Sequence, residues 1–356
     1  MSTPRGLVLA LAMACSAAIG TAAAAAEPPK ISRPKPAPPA SPGDVPPLPP
    51  AVFDNRLAVG GEDVKARKVS SRLSVDVAVN GRGPYKFIVD SGADTSAVGL
   101  RIAHDLQLPL GSPAILNGTT DRSIVDRVRV DRLSLGPSTI HDLELPALRE
   151  DDLGGDGLIG IDALVEQRLM MDFEKKLIKV EDAHKPVQYS PDEIVITARR
   201  RRGQLILTQV RAGRITLDAV IDTGSEVSIG NIALRDKLLR RGRDRFWTVE
   251  ATGVTGVTVP LQLASVGEIQ LGPVTLRDVP IAFADVPPFE LFGLSKEPAL
   301  LLGTDVLETF RRVSLDFHAR KVRFQLRRCE QGVIISTSPT SSLTRVTSMG
   351  PEVCGG

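Results

Sequence analysis

Cysteine is scarce in this chain, with three in 356 residues, at Cys15, Cys329 and Cys354. So few thiols exclude a multi-disulfide scaffold and a cysteine-rich zinc module. The four histidines, His104, His141, His184 and His318, are scattered without metal-ligand spacing, and no metal or other cofactor is expected. Aromatic residues are only 4% of the chain, so its core must be built from the aliphatic part of a 42% hydrophobic content. A formal charge of +2 is too small to argue for a nucleic-acid partner or an anionic membrane surface. No apolar run reaches the roughly 18 residues of a spanning helix, so stable membrane insertion is not expected. No serine-nucleophile signature is present either.

The ends of the chain have their own character. Arg5, the apolar stretch from Leu7 to Ile19 and the small residues Ala22 to Ala26 read as a secretory signal over 1–26, predicting a periplasmic or secreted protein. The alternatives are an uncleaved anchor or lipidation at Cys15. Eleven prolines between Glu27 and Pro50 predict an extended spacer over 27–66. A proline-motif ligand is the sharper alternative for that stretch. The Ser/Thr-rich stretch 329–356 reads as a mostly irregular tail. In an oxidising compartment Cys329 and Cys354 either pair, closing a loop worth roughly 3–4 kcal/mol, or remain free thiols.

Between these ends the pattern is β. Leu73, Val75, Val77 and Val79 alternate with polar residues, and Asn80-Gly81 follows as a hairpin signal. An internal repeat then emerges. Leu135-Gly136-Pro137 recurs as Leu271-Gly272-Pro273, and Gly160-Ile161-Asp162-Ala163-Leu164 as Gly303-Thr304-Asp305-Val306-Leu307. Met171-Asp172-Phe173 returns as Leu315-Asp316-Phe317. The order is kept throughout, so one fold is written twice, over 67–182 and 203–328. The stretch 183–202 reads as a solvated linker with one edge strand, Ile194 to Thr197. Its run Arg199-Arg200-Arg201-Arg202 is alternatively a processing site.

The most informative repeat is Phe87-Ile88-Val89-Asp90-Ser91-Gly92-Ala93 against Ala219-Val220-Ile221-Asp222-Thr223-Gly224-Ser225. Each places a carboxylate at the end of a buried-strand pattern, which is costly unless the acid is paired or used. Two in matching contexts predict aspartates brought face to face by pseudo-twofold symmetry. These strings, with the glycine strings at Gly160 and Gly303 in order behind them, resemble the retropepsin-like bacterial aspartyl proteases. The resemblance covers both repeats and leaves out the signal, spacer and tail. It implies an all-β fold of two closed, barrel-like lobes related by pseudo-twofold symmetry, with the active cleft between them.

The same resemblance implies an aspartic endopeptidase acting on peptide or protein substrates, with Asp90 and Asp222 as catalytic dyad. The physical reason is that two adjacent carboxyls share one proton, so one can act as base and the other as acid. Gly92 and Gly224 let the backbone approach, and their amides can bond the carboxyls. Ser91 and Thr223 would cross-link the two loops. Ser225 offers a hydroxyl where Ala93 has none, so Asp222 is expected to be the ionised partner. Gly118 and Gly253 lie where the family carries substrate-covering flaps, one per copy. A simple surface hairpin is the other reading of each.

Asp162 and Asp305 follow a glycine and read as helix N-caps. Retroviral members carry arginine just after that glycine, and Ile161 and Thr304 stand there instead. Asp94 and Glu226 either touch substrate backbone or are solvated. Trp247 is read as core or rim, or as part of a subsite. With both halves of the site on one chain, a monomer is expected. The rival reading is a catalytically inactive peptide-binding or scaffold module of the same fold; a further one is hydrolysis of a non-protein amide.

Overall fold

The computed structural model describes residues 28–38, 62–69, 72–136, 138–164, 167–183, 186, 193–239 and 246–327. The expected signal, the possible Cys329–Cys354 pair and the tail lie outside the described residues. Strands dominate, with only short helices, and form two closed, barrel-like lobes. Among the described residues no helix is long and apolar enough to cross a membrane.

Each lobe opens on a hairpin whose second strand ends in one of the two aspartates. In the N-terminal lobe, Arg72–Val79 turns into Arg82–Val89 through Asn80 and Gly81, at φ 49° and 78°. Those left-handed angles belong to the tight hairpin turn that Asn-Gly favours. Leu73, Val75, Val77 and Val79 all face the core, as alternation requires. In the C-terminal lobe the same hairpin is Gln204–Ala212 with Ile215–Ile221.

A strand from later in each copy then threads parallel to the aspartate-bearing strand. Gly157–Ile159 lies beside Phe87 to Val89, and Ala299–Leu302 beside Asp218 to Ile221. The glycines of the Leu-Gly-Pro landmarks, Gly136 and Gly272, follow the first strands of two further hairpins at φ 55° and 58°.

The lobes are joined by an antiparallel run of strands in the order Glu193–Thr197, Lys321–Gln325, Arg312–Asp316, Gln167–Asp172, Leu177–Asp182, Glu62–Val69. At its centre the two copies pair with each other, Arg168 opposite Asp316 and Asp172 opposite Arg312. Both pairs are ion pairs: Arg168 Nε donates to Asp316 Oδ2 at 3.0 Å and Arg312 Nε to Asp172 Oδ2 at 2.6 Å. The repeated Asp-Phe landmark is thus the clamp between lobes. Asp172 and Asp316 also accept the amides of Lys175 and Ala319 in the turns that follow.

Three boundaries differ from the sequence reading. Glu62–Val69, which begins inside the expected 27–66 spacer and runs into the first repeat, is a strand between Leu177–Asp182 and Arg72–Val79. Its charged composition hides it, because apolar alternation is the signal a strand is read by. Lys35–Pro36, also in the expected spacer, adds a strand to the hairpin of Ala114–Asn117 and Arg122–Val125. Proline costs nothing there, since the neighbouring Ala37 amide donates to Arg122 O and the outer edge needs no donor. Arg199–Arg201, within the expected linker, is an edge strand on Gln204–Ala212, committed to the C-terminal lobe.

Candidate active site

Apolar strands bring the two aspartates to the junction of the lobes. Phe87, Ile88 and Val89 are buried, as are Ala219, Val220 and Ile221. Asp90 N donates to Ile159 O at 2.9 Å and Asp222 N to Leu302 O at 3.0 Å, so each threading strand fixes where its aspartate emerges. The chain then turns back on the carboxyl. Asp90 Oδ1 accepts the amides of Gly92 and Ala93 at 2.7 and 3.0 Å, and Asp222 Oδ1 those of Gly224 and Ser225, both at 3.1 Å.

The hydroxyls of Ser91 and Thr223 lock the two loops together. Ser91 Oγ donates to Ile221 O at 2.9 Å and accepts Thr223 N at 3.2 Å. Thr223 Oγ1 donates to Val89 O at 2.8 Å and accepts Ser91 N at 2.9 Å. Glycine is required at the next position because the opposite carboxyl occupies the space of a side chain. A Cβ on Gly92 would lie 2.7 Å from Asp222 Cγ, and one on Gly224 would lie 2.1 Å from Asp90 Cγ.

The two carboxyls face each other across the junction, each packed against the opposite loop's glycine. Burial pushes the Asp222 carboxyl up to about 8, reinforced by the charge of Asp90 and opposed by the amides of Ser225 and Gly224. Burial also raises Asp90. The Gly92 and Ala93 amides and the Arg72 guanidinium counter that rise. The hydroxyl donor to Asp222 that the sequence led one to expect is not there. The Ser225 hydroxyl donates instead to Val227 O at 2.8 Å and leaves Asp222 to backbone amides, as Ala93 leaves Asp90.

Asp162 and Asp305 are not helix N-caps; Gly160 and Gly303 occupy those positions. Each aspartate clasps the far end of a dyad loop. Asp162 accepts the amide and hydroxyl of Ser96, and Asp305 those of Ser228. The same serine hydroxyls accept Gly160 N and Gly303 N at 3.0 and 2.9 Å. Burial raises both acids to about 6 despite these bonds. Where retroviral members carry arginine, the backbone amides of Ile161 and Thr304 hold Ala93 O and Ser225 O, each at 2.9 Å.

Asp94 and Glu226 are tied across the lobe junction. Arg202 approaches Asp94 at 3.6 Å and Arg72 approaches Glu226 at 3.1 Å. Gln204 donates to Asp94 and, at 3.3 Å, to Gly92 O. The sequence reading missed Arg72, Arg202 and Gln204. The available signal was positional: Arg72 and Gln204 open the same strand of each copy, ahead of its aspartate string.

Two hairpins roof a cavity of about 450 Å³ whose floor includes Asp90 and Asp222. Gly118 begins the N-terminal turn, donating to Asp121 O at 2.9 Å, and Gly253 the C-terminal one, donating to Val257 O at 3.0 Å. Both line the cavity. The tips meet, with the Thr255 hydroxyl donating to Asp121 Oδ1 and Gly253 packed against Thr120 so closely that a Cβ would clash. Val254 crosses to pack on the apolar cluster of Leu116, Leu148, Leu153 and Leu158. Trp247 stands exposed at the outer strand of the C-terminal hairpin.

The chain matches a family model described as aspartyl protease twice, over residues 75–163 and 208–306. The two matches each contain one of the aspartates and one of the roofing hairpins' glycines. No curated protein matches the chain.

Proposed function

The chain belongs to the aspartyl protease family, and on that premise we propose that it is an endopeptidase whose catalytic dyad is Asp90 and Asp222. The observation that carries this reading is the pair of facing carboxyls, each cradled by the amides of its own loop and packed against the opposite loop's glycine, under a two-sided roof. In the proposed reaction, ionised Asp90 takes a proton from a water molecule as its oxygen attacks the peptide carbonyl carbon. Asp222 gives its proton to the carbonyl oxygen, so the gem-diol intermediate forms without a free oxyanion. Collapse breaks the C–N bond. The intermediate's hydroxyl proton returns to one carboxylate while the other carboxyl supplies the proton that leaves on the amine.

The apolar walls, Leu116 and Leu158 on one side and Ile229 and Leu301 on the other, favour peptides with hydrophobic side chains flanking the scissile bond. The linked lobes support action as a monomer. The alanine-rich start supports export to the periplasm or medium, and an N-terminus near Glu27 by mass spectrometry of the exported protein is the matching result.

The test is cleavage of a peptide library by the purified protein, alongside Asp90→Asn and Asp222→Asn. Each variant should lose turnover, because one carboxyl remains where the reaction uses two. In the native protein kcat should fall as pH rises past about 8, where Asp222 loses its proton. Cleavage retained by Asp90→Asn at any pH would overturn the mechanism. Peptide binding without cleavage by the native protein would favour the non-catalytic module.

A further inference from the structure

The two copies treat the dyad almost identically, except at one matched pair of positions. Arg72 and Gln204 each start the first strand of their hairpin, and each crosses to the other lobe's aspartate loop. Arg72 Nη1 donates to Gly224 O at 3.4 Å, and Gln204 Nε2 donates to Gly92 O at 3.3 Å. Each also engages the acid behind the opposite dyad residue, Arg72 with Glu226 at 3.1 Å and Gln204 with Asp94. The contacts are equivalent, but one arm is charged and the other is neutral.

Arg72 is well placed for its charge to count. Its side chain is 14% exposed and is held a third way, by Nη1 to Leu153 O at 3.1 Å. A cation fixed in a partly buried position favours the ionised form of a nearby carboxyl. Gly224, whose carbonyl Arg72 holds, packs directly against the Asp90 carboxyl, and Arg72 and Asp90 line the same cavity, so the charge acts on Asp90. Around the pair, Glu226 offsets part of the Arg72 charge, and Arg202, 30% exposed, faces Asp94. The cavity wall adds Asp151, Asp152 and Glu250.

We propose that Arg72 is the positioning residue that breaks the symmetry of the dyad, holding the negative charge on Asp90, while its neutral counterpart Gln204 leaves the proton with Asp222. This inference rests on the dyad reading above. It assigns the base to the N-terminal lobe and the acid to the C-terminal lobe through a single difference between two copies.

The experiment is the pH–rate profile of Arg72→Gln, Glu226→Gln and Arg72→Lys. It is paired with carbon-13 titration of labelled aspartate carboxyls, which reads ionisation without requiring turnover. Arg72→Gln should move the acid limb and the lower dyad titration upward by about one pH unit. Glu226→Gln, at a more exposed position, should move them downward by unmasking Arg72. Arg72→Lys keeps the charge and should restore the native limb. A purely structural role would lower kcat evenly and leave both limbs in place. That outcome, or an unmoved limb in Glu226→Gln should Arg72→Gln fail to fold, overturns the inference. Loss of turnover in Asp90→Asn with unmoved limbs in these variants would sink this proposal alone. Retained turnover in Asp90→Asn would sink the dyad reading beneath it.

Discussion

Asp162 and Asp305 make a quantitative prediction about stability. Each has an ordinary carboxyl value of 3.8 in the unfolded chain and about 6 in the folded one, because burial outweighs its bonds to Ser96 or Ser228. A shift of about two units corresponds to roughly 3 kcal/mol per group. The folded state binds the proton more tightly, so this contribution is fully present below pH 3.8 and is lost as pH rises to about 6. Other acids titrate over the same range, so the useful measurement is a difference of differences. Native protein and Asp305→Asn would be compared by denaturant unfolding at pH 4 and at pH 7.5. Asparagine stays neutral, so it should gain up to about 3 kcal/mol on the native protein between the two pH values. Its own fixed cost, from placing an amide nitrogen against the Ser228 donors, cancels between them. A native-minus-variant difference unchanged to within about 0.5 kcal/mol would refute the argument that burial governs this acid.

Other outcomes follow from the same geometry. Asp316→Ala removes the bond that Arg168, itself 4% exposed, makes across the lobe junction while Glu181 and Ala183 O still hold it, and should cost about 1–3 kcal/mol in calorimetric or denaturant unfolding. Asp172→Ala should cost less, because Arg312 is one-third exposed and can turn to water. Thr255→Val removes the hydroxyl that joins the two roofing hairpins through Asp121; KM for a peptide substrate should change while unfolding stability stays within about 0.5 kcal/mol. Deleting residues 28–38 removes the strand paired to Arg122–Val125, so amide exchange in the Ala114–Val125 hairpin should accelerate while exchange at the lobe junction is unchanged.

What the sequence disclosed was whatever could be written within a few consecutive residues. An aspartate string, an Asn-Gly turn or a Leu-Gly-Pro turn carries its backbone geometry locally, and duplication made each one visible twice. The lobe architecture followed from their order. What stayed hidden was set by contacts between residues far apart in the chain. Arg72 reaches Gly224, Arg168 reaches Asp316, and Ser96 reaches Asp162, with nothing in either neighbourhood to announce it. Asp162 was misread because an acid beside a glycine suits a helix start, and only the fold shows its oxygens turned to Ser96. The Ser225 hydroxyl was misread for a similar reason. Its local alternative, Val227 O two residues away, won over the carboxyl it was expected to serve.

The covalent link between the copies bears on how such a site can be tuned. A symmetric dimer of identical chains must place the same residue at both equivalent positions, so any group that polarises one aspartate polarises the other equally. Here the duplicated positions are free to diverge, and two of the divergences around the cleft bear on its asymmetry. One is the charge at Arg72 against Gln204. The other is the roof. The C-terminal hairpin continues into the 14-residue strand Thr258–Leu271 of the main sheet, whereas the N-terminal hairpin forms a separate three-stranded sheet completed by Lys35–Pro36. Both asymmetries leave the shared machinery untouched, since the aspartate loops, the Ser91–Thr223 lock and the serine–aspartate clasps are paired element for element. Stability at the lobe junction is thus carried by symmetric contacts, while the acid–base division of labour proposed above and the anchoring of the roof fall to the positions where the copies differ.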